Sequence, residues 1–329
     1  MRAPRLIVGA TLASVMLLGA CSGSTTKTAA PSGAAVTTAS TTVPATSAPA
    51  VVATTEETFV DTTRPTAANG SYAGAPDRTL RVPIFYPEHD GKPALDGAPY
   101  PLVVWSHGHG GIPEGGTPII EALVKRGYVV VAPEFPLSNL NAPGGPTLAD
   151  VPSQPGDVSF VLDRVLDETN DAASVLHNMI DETRIGAAGH SLGAITTYGL
   201  VYNTCCHDER IKALVPIAGA AVGMPGGEFF TGPHPPLLAI HGANDDTVSY
   251  KAGKEAWDKA PAPKYLLTVV DPEYSDHGVG MYEPSQWRDD YSEMIADFFD
   301  SQLRGETEKL AAVKQFGSQP GVTTFLAEP

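Results

Sequence analysis

Cysteine is scarce in this chain, and its scarcity removes whole classes of protein. The 329 residues hold only Cys21, Cys205 and Cys206. There is no C-x-x-C pair, and no Cys/His spacing matches a zinc site. Basic residues are also few. Lys and Arg number 21 against 37 Asp and Glu, for a net charge of −16. Gripping phosphates needs clustered cations, so an acidic chain without a basic run is not a nucleic-acid binder. Long apolar runs are missing as well. The stretch Leu6–Leu18 is too short to span a bilayer comfortably. No internal repeat is found. What remains is a chain with 42% hydrophobic residues, ample for one large α/β domain plus extensions.

The chain opens with Arg2 and Arg5, then the apolar run, then Gly19-Ala20-Cys21. This reads as an export signal over residues 1–20. Leu18-Gly19-Ala20-Cys21 resembles the lipobox of bacterial lipoproteins. The resemblance implies cleavage before Cys21, acylation of that cysteine, and anchoring to the outer face of the cell membrane; plain secretion is the alternative. Two or more acyl chains would hold it there, and one would not. From Cys21 to residue 66 the chain is rich in Thr, Ala, Ser and Pro. That composition predicts a disordered stalk, with a typical end-to-end distance of roughly 40 Å.

From residue 67 to 305 apolar runs and helical patterns alternate. Arg78–Pro87 reads as an early edge strand, because Pro83 cannot donate to a ladder. Tyr100–Ser106 and Tyr128–Ala132 are continuous apolar runs, as in strands buried on both faces. Residues 211–217, 236–240 and 265–270 repeat that signal. Helices are expected up to Arg126, over Asp157–Glu168, over Ser249–Ala260 and over Ser285–Leu303. Residues 306–329 are weakly patterned and read as a short helix plus a C-terminal tail. Alternation of this kind calls for a mostly parallel sheet with helices on both faces.

Gly189-His190-Ser191-Leu192-Gly193 sits between the short apolar run 184–188 and a helical stretch. It is a G-x-S-x-G motif in a strand–turn–helix context. A sharp turn there pushes the Ser191 hydroxyl out over the sheet edge, and a Cβ on either flanking glycine would clash with neighbouring backbone. Its helix can give the Leu192 N–H to a developing oxyanion.

With this motif, with Pro101–Gly108 and with the order of the later motifs, residues 77–303 resemble the α/β-hydrolase family. They look most like its dienelactone hydrolase, platelet-activating-factor acetylhydrolase and cutinase-like group, although true dienelactone hydrolases use a cysteine nucleophile. The resemblance implies an α/β-hydrolase fold and a Ser, Asp, His order. Ser191 would be the nucleophile and His277, in the loop after the last core strand, the base. The acid would be Asp245, or Asp246 if the match shifts by one, with the other serving as a turn or N-cap residue. His107-Gly108-His109-Gly110-Gly111 resembles the family's oxyanion loop, with His109, or Gly110, supplying the second N–H. A metal role for His107 and His109 has no third ligand nearby. His190 is expected to be structural, and no aromatic residue flanks it. His89, His177, His207 and His234 carry no motif.

The implied activity is cleavage of a small-molecule or lipid carboxylic ester through an acyl-enzyme, with no cofactor. Acyl transfer or peptide cleavage on the same residues is the rival, as is a binding lipoprotein without turnover. Residues 218–230 leave no room for a helical lid, and Met224, Phe229 and Phe230 are either a wall of the acyl site or ordinary packing. In an oxidising compartment Cys205 and Cys206 have only each other as partner, giving a vicinal disulfide or two free thiols.

Overall fold

The computed structural model describes residues 51–232 and 234–329. The export signal, Cys21 and the stalk up to residue 50 lie outside the described residues. The strands are β1 Val51–Asp61, β2 Arg78–His89, β3 Lys92–Pro93, β4 Tyr100–Ser106, β5 Val129–Val131, β6 Ile180–His190, β7 Ile211–Ile217, β8 Leu237–Gly242, β9 Lys264–Val269 and β10 Thr323–Glu328. The helices are α1 Thr117–Lys125, α2 Gln154–Asn170, α3 Leu192–Tyr202, α4 Tyr250–Lys259, α5 Gln286–Leu303 and α6 Lys309–Phe316.

The sheet runs β1-β2-β5-β4-β6-β7-β8-β9-β10, with the short β3 beside β2. Its centre, β5 through β9, is parallel. The two ends are antiparallel. Side chains of a strand alternate between faces, so a strand covered on both sides must be apolar throughout. In β4, Leu102 and Val104 enter one core with α2, α3 and α4, while Val103 and Trp105 enter the other with α1, α5 and α6. Leu102 is fully buried, and cutting it to Ala would cost about 2–5 kcal/mol. Because the central strands are parallel, their carboxyl ends meet on one edge, and the loops leaving β4, β6, β8 and β9 converge there.

Three expectations need correction. The stalk does not extend to residue 66. β1 pairs with β2 along its whole length, from Val51↔Glu88 to Asp61↔Arg78. Its composition is poor in large apolar groups, but its β-branched residues alternate, burying Phe59 and Asp61 while exposing Thr54, Glu56, Thr58 and Val60. An edge strand needs no more than that. β1 therefore takes the edge expected of β2, which lies inside the sheet between β1 and β5. Nor does 306–329 end in a tail. The short helix is α6, whose Val313 is buried, but the residues after it form β10, which closes the opposite edge against β9.

Candidate active site

Ser191 occupies the turn between β6 and α3 with φ 57° and ψ −119°. A side chain held there costs of order 1–3 kcal/mol and persists only when the surroundings enforce it. Here the backbone enforces it. A Cβ on Gly189 would lie 2.5 Å from the Gly193 carbonyl oxygen, and one on Gly193 would lie 2.0 Å from that of Ser106. Only glycines let β4, β6 and α3 approach this closely.

The Ser191 Oγ lies 2.8 Å from His277 Nε2. His277 Nδ1 lies 2.8 Å from Asp245 Oδ2. An ionised carboxylate can only accept, so the imidazole proton sits on Nδ1 and the Nε2 lone pair faces the serine hydroxyl. Asp245 is buried, whereas Asp246 is exposed. The Asp245 Oδ1 also accepts from the N–H groups of Thr247 and Val248, at 2.9 Å each. His241 Nε2 stands 3.2 Å from Oδ2. Burial pushes this carboxyl up, but hydrogen bonds from His241, His277 and the Val248 N–H outweigh it and hold the group well below the usual carboxylate range. Asp246 is not the N-cap of α4; Ser249 is, its side chain accepting from Ala252 N.

The loop after β4 packs onto the serine, and a Cβ on Gly108 would meet the Ser191 Cβ at 3.2 Å. His107 shapes this loop. Its Nε2 accepts from Phe135 N at 3.1 Å, so its Nδ1 carries the proton and donates to the Gly108 carbonyl at 2.8 Å. Both ring nitrogens are thereby committed to backbone, and burial pushes its pKa down to about 4. His109 is exposed. Gly110 spends its N–H on the Ser138 carbonyl at 2.7 Å. The N–H groups of His109 and Leu192 donate to no carbonyl among the described residues, and Leu192 opens α3, where helical N–H groups are unpaired.

Behind the loop runs a buried polar chain with no local sequence signal. Thr196 on α3 bonds Gln154 Oε1, and Gln154 Nε2 donates to Ser138 Oγ at 2.7 Å. It ties the helix that starts at Ser191 to the segment that holds Gly110. A second unforeseen group lies beside His190. The Tyr282 hydroxyl meets His190 Nδ1 at 2.8 Å, and His190 Nε2 donates to the His277 carbonyl at 2.8 Å. Burial pushes His190 down to about 4, so it is neutral at pH 7 and can bridge the two. An aromatic residue does flank His190, brought from 92 positions away.

Other candidates fall elsewhere. Phe230 packs on Tyr202 at a centroid distance of 5.1 Å, and Met224 lies against Gly199. Both contacts are with the half of α3 away from Ser191. Cys205 and Cys206 form a vicinal disulfide just past the helix. The 11 residues of α3 separate it from the serine by about 16 Å. Between β7 and β8 the described residues form no helix, and Ser191 is part-exposed, so no helical lid covers it.

No family model and no curated protein matches this chain. Among solved structures, a ferulic acid esterase from Streptomyces cinnamoneus is similar, at 22% identity and a TM-score of 0.54, over 80% of this chain and 93% of that one. At this identity the likeness speaks to architecture. The chain has an α/β-hydrolase fold.

Proposed function

We propose that the protein is a serine hydrolase that cleaves carboxylic esters through an acyl-enzyme. The observation that carries the reading is Ser191 on its strained turn, with Oγ 2.8 Å from His277 Nε2 and Asp245 on the other ring nitrogen. A serine hydroxyl is a poor nucleophile until a base takes its proton. In this reading Ser191 Oγ attacks the ester carbonyl as His277 accepts the proton. The carbonyl oxygen becomes an oxyanion, met by the N–H groups of Leu192 and His109. Removing one such donor costs about 3–4 kcal/mol of barrier in a comparable serine hydrolase. His277 then returns the proton to the leaving alcohol as the C–O bond breaks. Water, deprotonated by the same nitrogen, releases the acid and restores Ser191. The esterase among the solved structures supports ester chemistry in this fold.

The test is hydrolysis of p-nitrophenyl esters of graded acyl length by the full-length chain and by Ser191→Ala, with organophosphonate labelling in parallel. Turnover and labelling by the parent, both lost in the variant, are expected. A folded parent that neither turns over any ester nor takes the label would sink the reading and favour a binding protein. An added alcohol acceptor that captures most of the acyl group would instead make it a transferase.

The location is part of the same proposal: an exported protein anchored at Cys21 outside the cell membrane. The N-terminal sequence supports it, and the Cys205–Cys206 disulfide suits an oxidising compartment. Cys21→Ala should move the protein from the membrane to the soluble fraction; retention on the membrane would refute the anchor.

A further inference from the structure

We propose that Ile195 and Val151 form the subsite of the acyl group, and that it takes an unbranched aliphatic chain. The proposal rests on the ester-hydrolase reading above, and Ile195 is its specificity-determining residue.

Position is the first argument. From Leu192 to Tyr202 every residue of α3 is buried except Ile195, which is part-exposed. Ser191 is part-exposed too. Ile195 stands one turn beyond it, donating its N–H to the Ser191 carbonyl at 3.1 Å. Residues four apart share a face of a helix. The opening that bares the nucleophile therefore also bares Ile195, about 6 Å further along the axis. The groups around the ester carbonyl carbon then divide the site. Ser191 Oγ attacks, the Leu192 and His109 N–H groups take the oxyanion, and the leaving oxygen must face His277 Nε2. His277 reaches the serine from beside His190. The two rings lie 4.9 Å apart, and His190 Nε2 donates to the His277 carbonyl. The remaining group, the acyl chain, is left the direction along α3.

Chemistry is the second argument. Beyond Ile195 the loop after β7 crosses α3 at Gly223. A Cβ there would lie 3.4 Å from Val151 Cγ1 and 4.0 Å from Ile195 Cγ2, and these two atoms are its only contacts within 4 Å outside its chain neighbours. The φ of Gly223 is 79°, a conformation side chains disfavour, so glycine keeps this gap open. Two branched aliphatic side chains wall it. The polar groups next to them are committed elsewhere: Thr196 and Gln154 bond each other, and Asp150 pairs with Arg78. A charged or hydroxylated acyl group would lose water here and regain no hydrogen bond. Methylenes lose none and gain by covering apolar surface.

The experiment measures kcat/KM of the full-length chain on p-nitrophenyl acetate and p-nitrophenyl hexanoate, for the parent and Ile195→Asp. The two esters share a leaving group, and their intrinsic reactivities cancel when variant is divided by parent. A merely structural defect lowers both rates alike, whereas a charge in the acyl path penalises the chain long enough to reach it. Each methylene removed from water is worth about fourfold. The hexanoate-to-acetate ratio is therefore expected to fall at least fivefold in the variant; a smaller fall overturns the proposal. Should Ile195→Asp not fold, Ile195→Thr keeps the branched shape and sets a hydroxyl on the wall. A fall of at least twofold is then expected, and less overturns the proposal. Turnover of the acetate with an unmoved ratio removes the subsite alone, whereas absence of turnover and of phosphonate labelling in the parent removes the ester-hydrolase reading with it.

Discussion

Replacing Asp245 by asparagine should disable the enzyme while leaving the site's outline intact. The reason lies in which atoms the carboxylate serves. Oδ1 is fixed by the Thr247 and Val248 N–H groups, so the asparagine oxygen would settle there. Its NH2 group would then occupy the place of Oδ2, facing His277 Nδ1. An amide NH2 can only donate, so Nδ1 must become the acceptor and the ring proton moves to Nε2. A protonated Nε2 cannot take the proton of Ser191. In the Ser-His-Asp template the same replacement lowers kcat about 10⁴-fold, a barrier increase of roughly 5 kcal/mol. The assay is kcat/KM on p-nitrophenyl acetate at neutral pH for parent and Asp245→Asn, with circular dichroism to confirm folding. A loss below tenfold in a folded variant would refute the role given to Asp245. The pH dependence of stability has a defined sign. The folded carboxyl titrates below its unfolded value near 3.9, so its contribution is complete above that value and is lost as pH falls through it towards the folded pKa. The Tm gap between parent and variant should therefore be constant above about pH 5 and close under acid conditions. A gap that widened in acid would contradict the hydrogen-bond account.

Other outcomes follow from the same geometry. Gly193→Ala places a Cβ 2.0 Å from the Ser106 carbonyl oxygen; a backbone clash of this kind should cost about 3 kcal/mol or more, lowering Tm by roughly 6–12 °C and abolishing phosphonate labelling, and normal labelling would show that the elbow can relax. Tyr282→Phe deletes the bond to His190 while keeping the ring; a net hydrogen bond of about 1 kcal/mol predicts a kcat about fivefold lower, and an unchanged kcat would mean that His190 needs no support. A chain beginning at residue 67 lacks β1 and bares the β2 edge; by size-exclusion it should aggregate, whereas a chain beginning at residue 47 should run as a discrete species, and identical behaviour would make β1 dispensable.

The parts of this site that are legible in sequence are those where backbone geometry leaves no choice of residue. Gly189 and Gly193 are demanded by contacts with main-chain atoms, and such demands repeat wherever a strand turns sharply into a helix. The core strands are legible for a similar reason, since burial on both faces admits only apolar side chains. β1 and β10 escape because an edge strand buries one side and shares its alternation with ordinary polar sequence. Averaged over a window, Val51–Asp61 is as Thr-rich as the stretch before it. The partners that hold the loops escape for a different reason. His107 bonds the backbone of Gly108 and Phe135 and His190 the His277 carbonyl, while Gln154 bonds the side chains of Ser138 and Thr196 and Tyr282 that of His190. A carbonyl accepts from any suitable donor that folding delivers, so nothing in the partner's own sequence specifies its identity. Residues that touch the reacting atoms are constrained by chemistry and can be read locally. Residues that hold those loops in place are constrained by tertiary distance alone, and only the assembled sheet edge reveals them.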